Sequence, residues 1–428
     1  LTAARPRNVL YFQSGGVTAV INATAGGVID AARSLAQAGA PIGTVLAARN
    51  GLSGVLKEEL IDTASLSDEA VLRLRQLPGG AFGASRRLLP PYDECPDQWE
   101  RVAAVLRAHD IGHVLVNGGN GSMETARLFV ELGQRYGLDI TAVGLPKTVD
   151  NDLLDTDVSP GFGSAAKYLA TSMREASLDL AAMSGGARAT KVFILEVMGR
   201  HAGWMALSTA LAQDGPDAAP HLILCPEVPF DEERVVAAVS ATIARVGYCA
   251  ITVAEGLAGP DGKPLAVERD AATYGHEQLG GVGPWLADRV QTRLGVKCHC
   301  AVADYLQRSA RHLASRVDLE QAWAVGATGV EWSLAGRSGV MVAIRRLADA
   351  PYRWDLVPAA LDGLADRERK VPPDFLSADG LHASPLARAY LAPLIAGEAY
   401  PPYGDDGLPD YRWQCPSNLA PRLSPYSL

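Results

Sequence analysis

Short apolar runs recur along the chain, and each ends in a polar, glycine-rich turn that opens a helix-like stretch. Asn8–Gln13 leads through Ser14-Gly15-Gly16 into an alanine-rich segment ending near Ala38. Ile111–Val116 leads through Asn117-Gly118-Gly119-Asn120-Gly121-Ser122 into a helical pattern ending near Tyr136. Ile140–Leu145 runs into Pro146-Lys147-Thr148-Val149-Asp150-Asn151-Asp152. Lys191–Val197 runs into Met198-Gly199-Arg200-His201-Ala202-Gly203 and then a WMALSTALA stretch. His221–Cys225 and Tyr248–Ala254 are further buried-strand candidates, the second closing on Glu255-Gly256. Apolar runs of this length alternating with helices predict βαβ units and mostly parallel sheets. In such sheets ligands gather at the carboxyl ends of the strands, where every one of these turns falls.

The pattern runs from residue 8 to about 345 without an evident linker, too long for one small sheet, and so predicts an α/β protein of two lobes. After Asp349 the composition shifts. Residues 350–428 hold twelve prolines and few strand signals, which predicts an extended C-terminal tail wrapped on the body. Leu10–Ser14 (LYFQS) imitates the scar of a cleavable tag, but it is an uninterrupted strand pattern feeding Gly15-Gly16.

Composition narrows the function classes. A chain of 428 residues, 48% hydrophobic, can bury a large core in two or three domains. No apolar run approaches the roughly 20 residues of a bilayer span, and Leu1–Arg7 carries no signal-peptide pattern. Six scattered cysteines form no disulfide framework. The expectation is a cytoplasmic protein without a membrane partner. A net charge of −9, from 39 basic and 48 acidic residues, argues against a nucleic-acid partner.

The turns carry the chemistry. Ser14-Gly15-Gly16 suits either a plain tight turn or an anion cradle at a helix N-terminus. Neither GxxxxGK[ST] nor GxGxxG is present, which speaks against a Walker loop and against a dinucleotide-binding dehydrogenase. Asn117–Ser122 is a second such turn, in which Asn120 suits a metal or water ligand, or a helix cap. Pro146–Asp152 is the sharpest feature, with Lys147, Thr148, Asp150 and Asp152 within seven residues. One carboxylate of that pair can accept a proton while the other orients it or a metal-bound water. A lysine there can neutralise a transferring phosphoryl group. Arg200 suits bidentate phosphate contact or a structural ion pair. Glu255 suits sugar hydroxyls or the surface. Gly79–Arg87 ends in two arginines, of which Arg86 can reach a phosphate or sit on a loop tip. Tyr305–Ser309 (YLQRS), with Lys297 upstream, supplies a phenol and cations or simply an amphipathic helix face. Cys298 and Cys300 flank His299, but no second Cys/His pair stands near at zinc spacing.

Taken together, SGGVTAVINA, NGGNGS, PKTVDND, MGRHAGW, the EG after its strand and YLQRS resemble the phosphofructokinase family in order and spacing, over nearly the whole chain. The resemblance implies two similar Rossmann-like lobes with the active site in the cleft between them, in a homodimer or homotetramer. The expected division is 1–165 for the first lobe with the donor site, 166–308 for the second with the sugar-phosphate site, a return to the first at 309–348, and an extension at 349–428. The implied reaction is Mg²⁺-dependent phosphoryl transfer to the C1 hydroxyl of fructose 6-phosphate. Asp150 would be the base and Asp152 its supporting carboxylate, with Thr148 a sugar or phosphoryl contact. Gly16 would meet the donor phosphate, and Asn120 the Mg²⁺. Met198, Gly199 and Arg200 would contact the sugar phosphate, Glu255 the sugar hydroxyls, and Tyr305, Arg308 and Lys297 the 6-phosphate. Arg86 and Lys191 align with further phosphate contacts.

The donor divides the family. Pyrophosphate users typically carry GG(D/N)DS and PKT; bacterial ATP users carry GGDGS and PGT. This chain pairs an ATP-like Gly121 with a pyrophosphate-like Lys147. Because Gly121 lacks the bulk and charge that would repel an α-phosphate, ATP is the expected donor and pyrophosphate the alternative. A non-catalytic regulatory subunit on the same fold would be expected to lose the acid pair, and both acids are present.

Overall fold

The structure is a computed structural model that describes residues 5–186, 189–269, 278–364 and 367–428. Among the described residues two sheets dominate. The larger has eight strands, with Arg7–Ser14 near its centre. On one side Arg7–Ser14 pairs in parallel with Ile111–Gly118, followed by Thr141–Pro146 and Val340–Asp349, also parallel. On the other side it pairs in parallel with Ile42–Ala48. Ala84–Ser85 adds two residues to its carboxyl end. Antiparallel strands close the edges, Tyr352–Ala360 beyond Val340–Asp349 and Leu60–Asp62 beyond Ile42–Ala48. The smaller sheet is all parallel, in the order Lys297–Val302, Thr190–Val197, Cys249–Ala254, Leu222–Leu224. Thr190–Val197, Cys249–Ala254 and Leu222–Leu224 are largely buried, which is why they appear as continuous apolar runs in the sequence, whereas the edge strand Lys297–Val302 is largely exposed.

In the larger sheet the chain leaves Arg7–Ser14 to one side and later returns on the other, between Arg7–Ser14 and Ile111–Gly118. In the smaller sheet the same reversal happens around Thr190–Val197. Such reversals open crevices at the carboxyl ends of the strands. One crevice presents Gly15-Gly16 and Gly119-Asn120, and the other Met198 to Arg200 and Glu255.

Helices Ile21–Gln37 and Arg316–Leu334 cross at backbone contact. A Cβ on Gly27 would lie 2.1 Å from the Trp323 carbonyl oxygen, and one on Gly326 would lie 2.1 Å from that of Thr24. Only glycine permits this approach. The crossing clamps a late helix onto the first sheet, and Val340–Asp349 then enters that sheet.

The tail wraps the body as expected, but it is not without strands. Tyr352–Ala360 forms a nine-residue strand paired with Val340–Asp349. Its outward positions alternate with charged residues such as Arg353 and Asp355, and Pro358 interrupts it, so its sequence resembles a loop. Near the end of the chain, the Leu419 amide donates to the Leu60 carbonyl at 2.7 Å. The amides of Arg422 and Leu423 donate to the buried Glu58 carboxylate. Glu58 is also paired with His109 at 2.7 Å. No described helix is long and apolar enough to cross a membrane, and all six cysteines are free.

Candidate active site

The two crevices share one cavity of about 610 Å³. Of the residues singled out in the sequence, it is lined by Gly16, Arg86, Asn120, Gly121, Lys147, Thr148, Asp150, Asp152, Met198, Arg200, Glu255 and Arg308. The acid loop is held from within. The Asp150 amide donates to Thr148 Oγ1 at 3.0 Å. Asn151 takes φ +54°, a left-handed conformation asparagine tolerates. Its side chain donates to the Tyr390 hydroxyl and accepts from the Ser159 amide. Turning Asn151 inward leaves its two acidic neighbours facing the cavity.

Burial governs the charges. It raises the Asp150 carboxyl above the ordinary carboxylate range, against the pull of Lys147. Burial, and then the Asp150 charge, push Asp152 up to about 7. Burial, and then Asp150 again, push Glu255 up to about 7. Lys147 is only 4% exposed, and burial pushes its ammonium down to about 8. Its Nζ donates to the Gly16 carbonyl at 2.5 Å.

Arg308 reaches the same turn. A Cβ on Gly16 would lie 2.8 Å from Arg308 Nη1 and 3.9 Å from Arg86 Nη2. Arg86 and Arg308 each oppose the Lys147 charge. Three cations thus crowd one glycine turn in a chain of net charge −9.

Four of the expected residues do not line the cavity. Gly199 sits in the adjacent turn, its carbonyl accepting from the Gly256 amide. Tyr305 is 62% exposed, its ring stacked 3.9 Å from the Arg308 guanidinium carbon. Lys191 and Lys297 stand well away from the cavity, against the expectation that they contact phosphate. They lie at the amino ends of their strands, where Lys297 pairs with Thr190, while the cavity is at the carboxyl ends. Six residues of strand separate the two ends, about 20 Å. Lys191 instead donates to the Ser184 carbonyl. The apolar run Lys191–Val197 already places Lys191 at the start of its strand, whereas nothing in the sequence marks Lys297 as the start of one.

Among the lining residues without an expected role are His201, Glu368 and Leu88. His201, in the MGRHAGW turn, is hydrogen-bonded to Glu368 at 2.9 Å. Glu368 comes from the tail, in a charge-rich stretch that resembles a solvated loop. Leu88 follows Arg87, and its apolar side chain gave no chemical signal. A Cβ on Gly121 would lie 3.0 Å from Leu88 Cδ1 and 3.2 Å from Cδ2. The space that Gly121 vacates is therefore not open, since Leu88 occupies it. The expectation of ATP as donor rested on that space.

An acid pair sharing one cavity with cations from both sheets is the equipment of a phosphotransferase that activates an alcohol. The chain belongs to the phosphofructokinase family, whose model, described as Phosphofructokinase, matches residues 8–332. It is 50% identical to the pyrophosphate–fructose 6-phosphate 1-phosphotransferase of Methylococcus capsulatus, over 98% of this chain and 99% of that protein. It is 52% identical to the protein of the same name from Xanthomonas campestris, over 94% and 95%. The crystal structure of the pyrophosphate-dependent phosphofructokinase from Nitrosospira multiformis superposes with a TM-score of 0.89 at 46% identity, covering 99% of this chain and 100% of that one.

Proposed function

We propose that this enzyme transfers a phosphoryl group from inorganic pyrophosphate to the C1 hydroxyl of fructose 6-phosphate. The observation that carries the reading is the cation cluster of Lys147, Arg86 and Arg308 around the Gly15-Gly16 turn. Lys147 is buried beside two further cations, the half-buried Arg308 and the exposed Arg86, and gathering mutually repelling cations in this way is costly unless a compact polyanion joins them. Pyrophosphate concentrates its charge at that spot, whereas ATP spreads it toward a nucleoside. The names of the relatives at 50% and 52% identity agree with this choice.

In this reading the C1 hydroxyl oxygen forms a bond to one phosphorus of pyrophosphate. The bridging P–O bond breaks, and orthophosphate leaves with its electron pair. The hydroxyl proton passes to Asp150, whose raised affinity for protons suits a base working near neutral pH. Lys147 and the arginines hold charge that builds on the donor oxygens, and positioning supplies most of the rest. Met198, Arg200 and Glu255, on the opposite wall, would hold the sugar phosphate.

The residues fit Mg²⁺. Asn120 Oδ1 is buried without a partner, and Asn120 Nδ2 donates to Asp152 Oδ2 at 3.3 Å. Among the described residues no three His, Cys, Asp or Glu side chains gather to hold a metal. Asn120 and Asp152 would therefore hold the ion together with donor phosphate oxygens, the usual manner for Mg²⁺. When bound it supplies charge neutralisation on those oxygens.

Steady-state formation of fructose 1,6-bisphosphate with each donor tests the reading. The expected kcat/KM for pyrophosphate exceeds that for ATP by about tenfold or more. Turnover with ATP alone would overturn it. The expected loss in Asp150→Ala is about 10²–10⁴-fold in kcat, and undiminished turnover would remove Asp150 as the base.

A further inference from the structure

Leu88 is out of place chemically. It is an apolar side chain, 48% exposed, in the wall of a cavity otherwise built to hold phosphates. Its isobutyl group lies over Gly121 in the first turn of the helix Asn120–Tyr136. That helix N-terminus and the Gly15-Gly16 turn form the two sides of the donor end of the cavity.

We propose that Leu88 is a donor-length gauge: packed on Gly121, it closes the donor site after two phosphates. A third phosphate extending past Gly121 would meet hydrocarbon, which offers a charged oxygen neither donor nor cation. It would also need the volume that Leu88 fills. The gauge works by side-chain contact between two loops and requires no carboxylate at position 121. This inference rests on the pyrophosphate reading and adds the residue that enforces it.

The test compares three donors, pyrophosphate, inorganic tripolyphosphate and ATP, in the wild type and in Leu88→Ala, Leu88→Val and Leu88→Met. Each donor passes its terminal phosphoryl group to the C1 oxygen, and the leaving groups are orthophosphate, pyrophosphate and ADP respectively. Tripolyphosphate isolates the third phosphate from the nucleoside. The gauge predicts that Leu88→Ala raises the ratio of kcat/KM for tripolyphosphate to that for pyrophosphate by about tenfold or more. Leu88→Val should raise it less, and Leu88→Met, which keeps the volume, should leave it within about twofold. KM for fructose 6-phosphate should stay unchanged in all. A rise for tripolyphosphate without one for ATP also supports the gauge and assigns rejection of the nucleoside to other groups. If the ratio in Leu88→Ala and Leu88→Val stays at the wild-type value, the gauge is wrong, while the pyrophosphate reading stands on wild-type turnover. A wild type that works with ATP and not with pyrophosphate overturns the reading beneath it. Leu88 is half exposed, and melting curves identify any variant that fails to fold, in which case the remaining variants decide.

Discussion

The backbone amide of Arg369, in the tail, donates to the carbonyl of Asp152, in the acid loop, at 2.7 Å. The Arg369 guanidinium meanwhile bonds the carbonyls of Thr156 and Asp157, each at 2.5 Å, and the Tyr390 hydroxyl. It also lies 4.4 Å from the centre of the Trp204 ring. One tail residue therefore ties the acid loop to the helix that opens at Trp204. Arg369→Ala should lose about 2–4 kcal/mol of stability in urea titrations, because buried carbonyls lose charged donors. Its kcat should fall more than its KM rises, since the acids lose their alignment. Arg369→Lys should recover only part of both, lacking the planar fork.

Lys147 should help catalysis at the expense of the empty fold. Its ammonium is depressed from 10.5 to about 8 mainly by burial. The folded state binds that proton less tightly than the unfolded state. The penalty is therefore fully present below about 8 and disappears as pH rises to 10.5. Lys147→Met should stabilise the ligand-free protein by about 1–3 kcal/mol at pH 7. That gain should shrink to nothing toward pH 10.5. Pyrophosphate turnover should fall about 10²-fold in the same variant. Thermal melts across pH, paired with donor kinetics, check the two opposite signs.

Glu368 should set the acidic limb of activity. Its negative charge raises both Asp150 and Asp152, after burial and their nearer neighbours. A base must be ionised to act, so kcat/KM should fall as pH drops and Asp150, whose carboxyl is raised above the ordinary range, takes up a proton. Its supporting carboxylate Asp152, pushed up to about 7, protonates in the same direction. Glu368→Gln removes a like charge and favours ionisation. The acidic limb should move about half a pH unit lower. A limb that moves higher would show that the His201 contact, and not the charge, is what matters.

Gly16 should tolerate no side chain. A Cβ there would press on Arg308 Nη1 from 2.8 Å, displacing a cation from the donor turn. Gly16→Ala should raise KM for the donor by about tenfold, and KM for fructose 6-phosphate, which Arg308 is also expected to contact, by less. Donor and acceptor titrations of the variant separate the two constants.

The sequence by itself determined the local units. Apolar runs such as Ile111–Val116 and Tyr248–Ala254 mark strands buried on both faces, and the observed strands are Ile111–Gly118 and Cys249–Ala254. The chemistry of PKTVDND was legible because all its parts lie within seven residues. Edge strands were harder. Tyr352–Ala360 alternates charged and apolar positions and resembles a loop until its pairing with Val340–Asp349 is known.

Long-range relations were decided by the tertiary structure alone. Lys147 and Lys297 look equally available as cations in the sequence. Strand direction puts the first at a carboxyl end inside the cavity and the second at an amino end, outside it. Gly121 resembles an open donor site in the sequence, yet Leu88, more than thirty positions earlier, fills the gap. Glu368 reaches the acids from the tail. The reason is physical. Backbone propensity and hydrophobic period act over a few residues and are written locally. Volume and charge act through space, so which group fills a gap or faces a carboxylate depends on how distant segments pack.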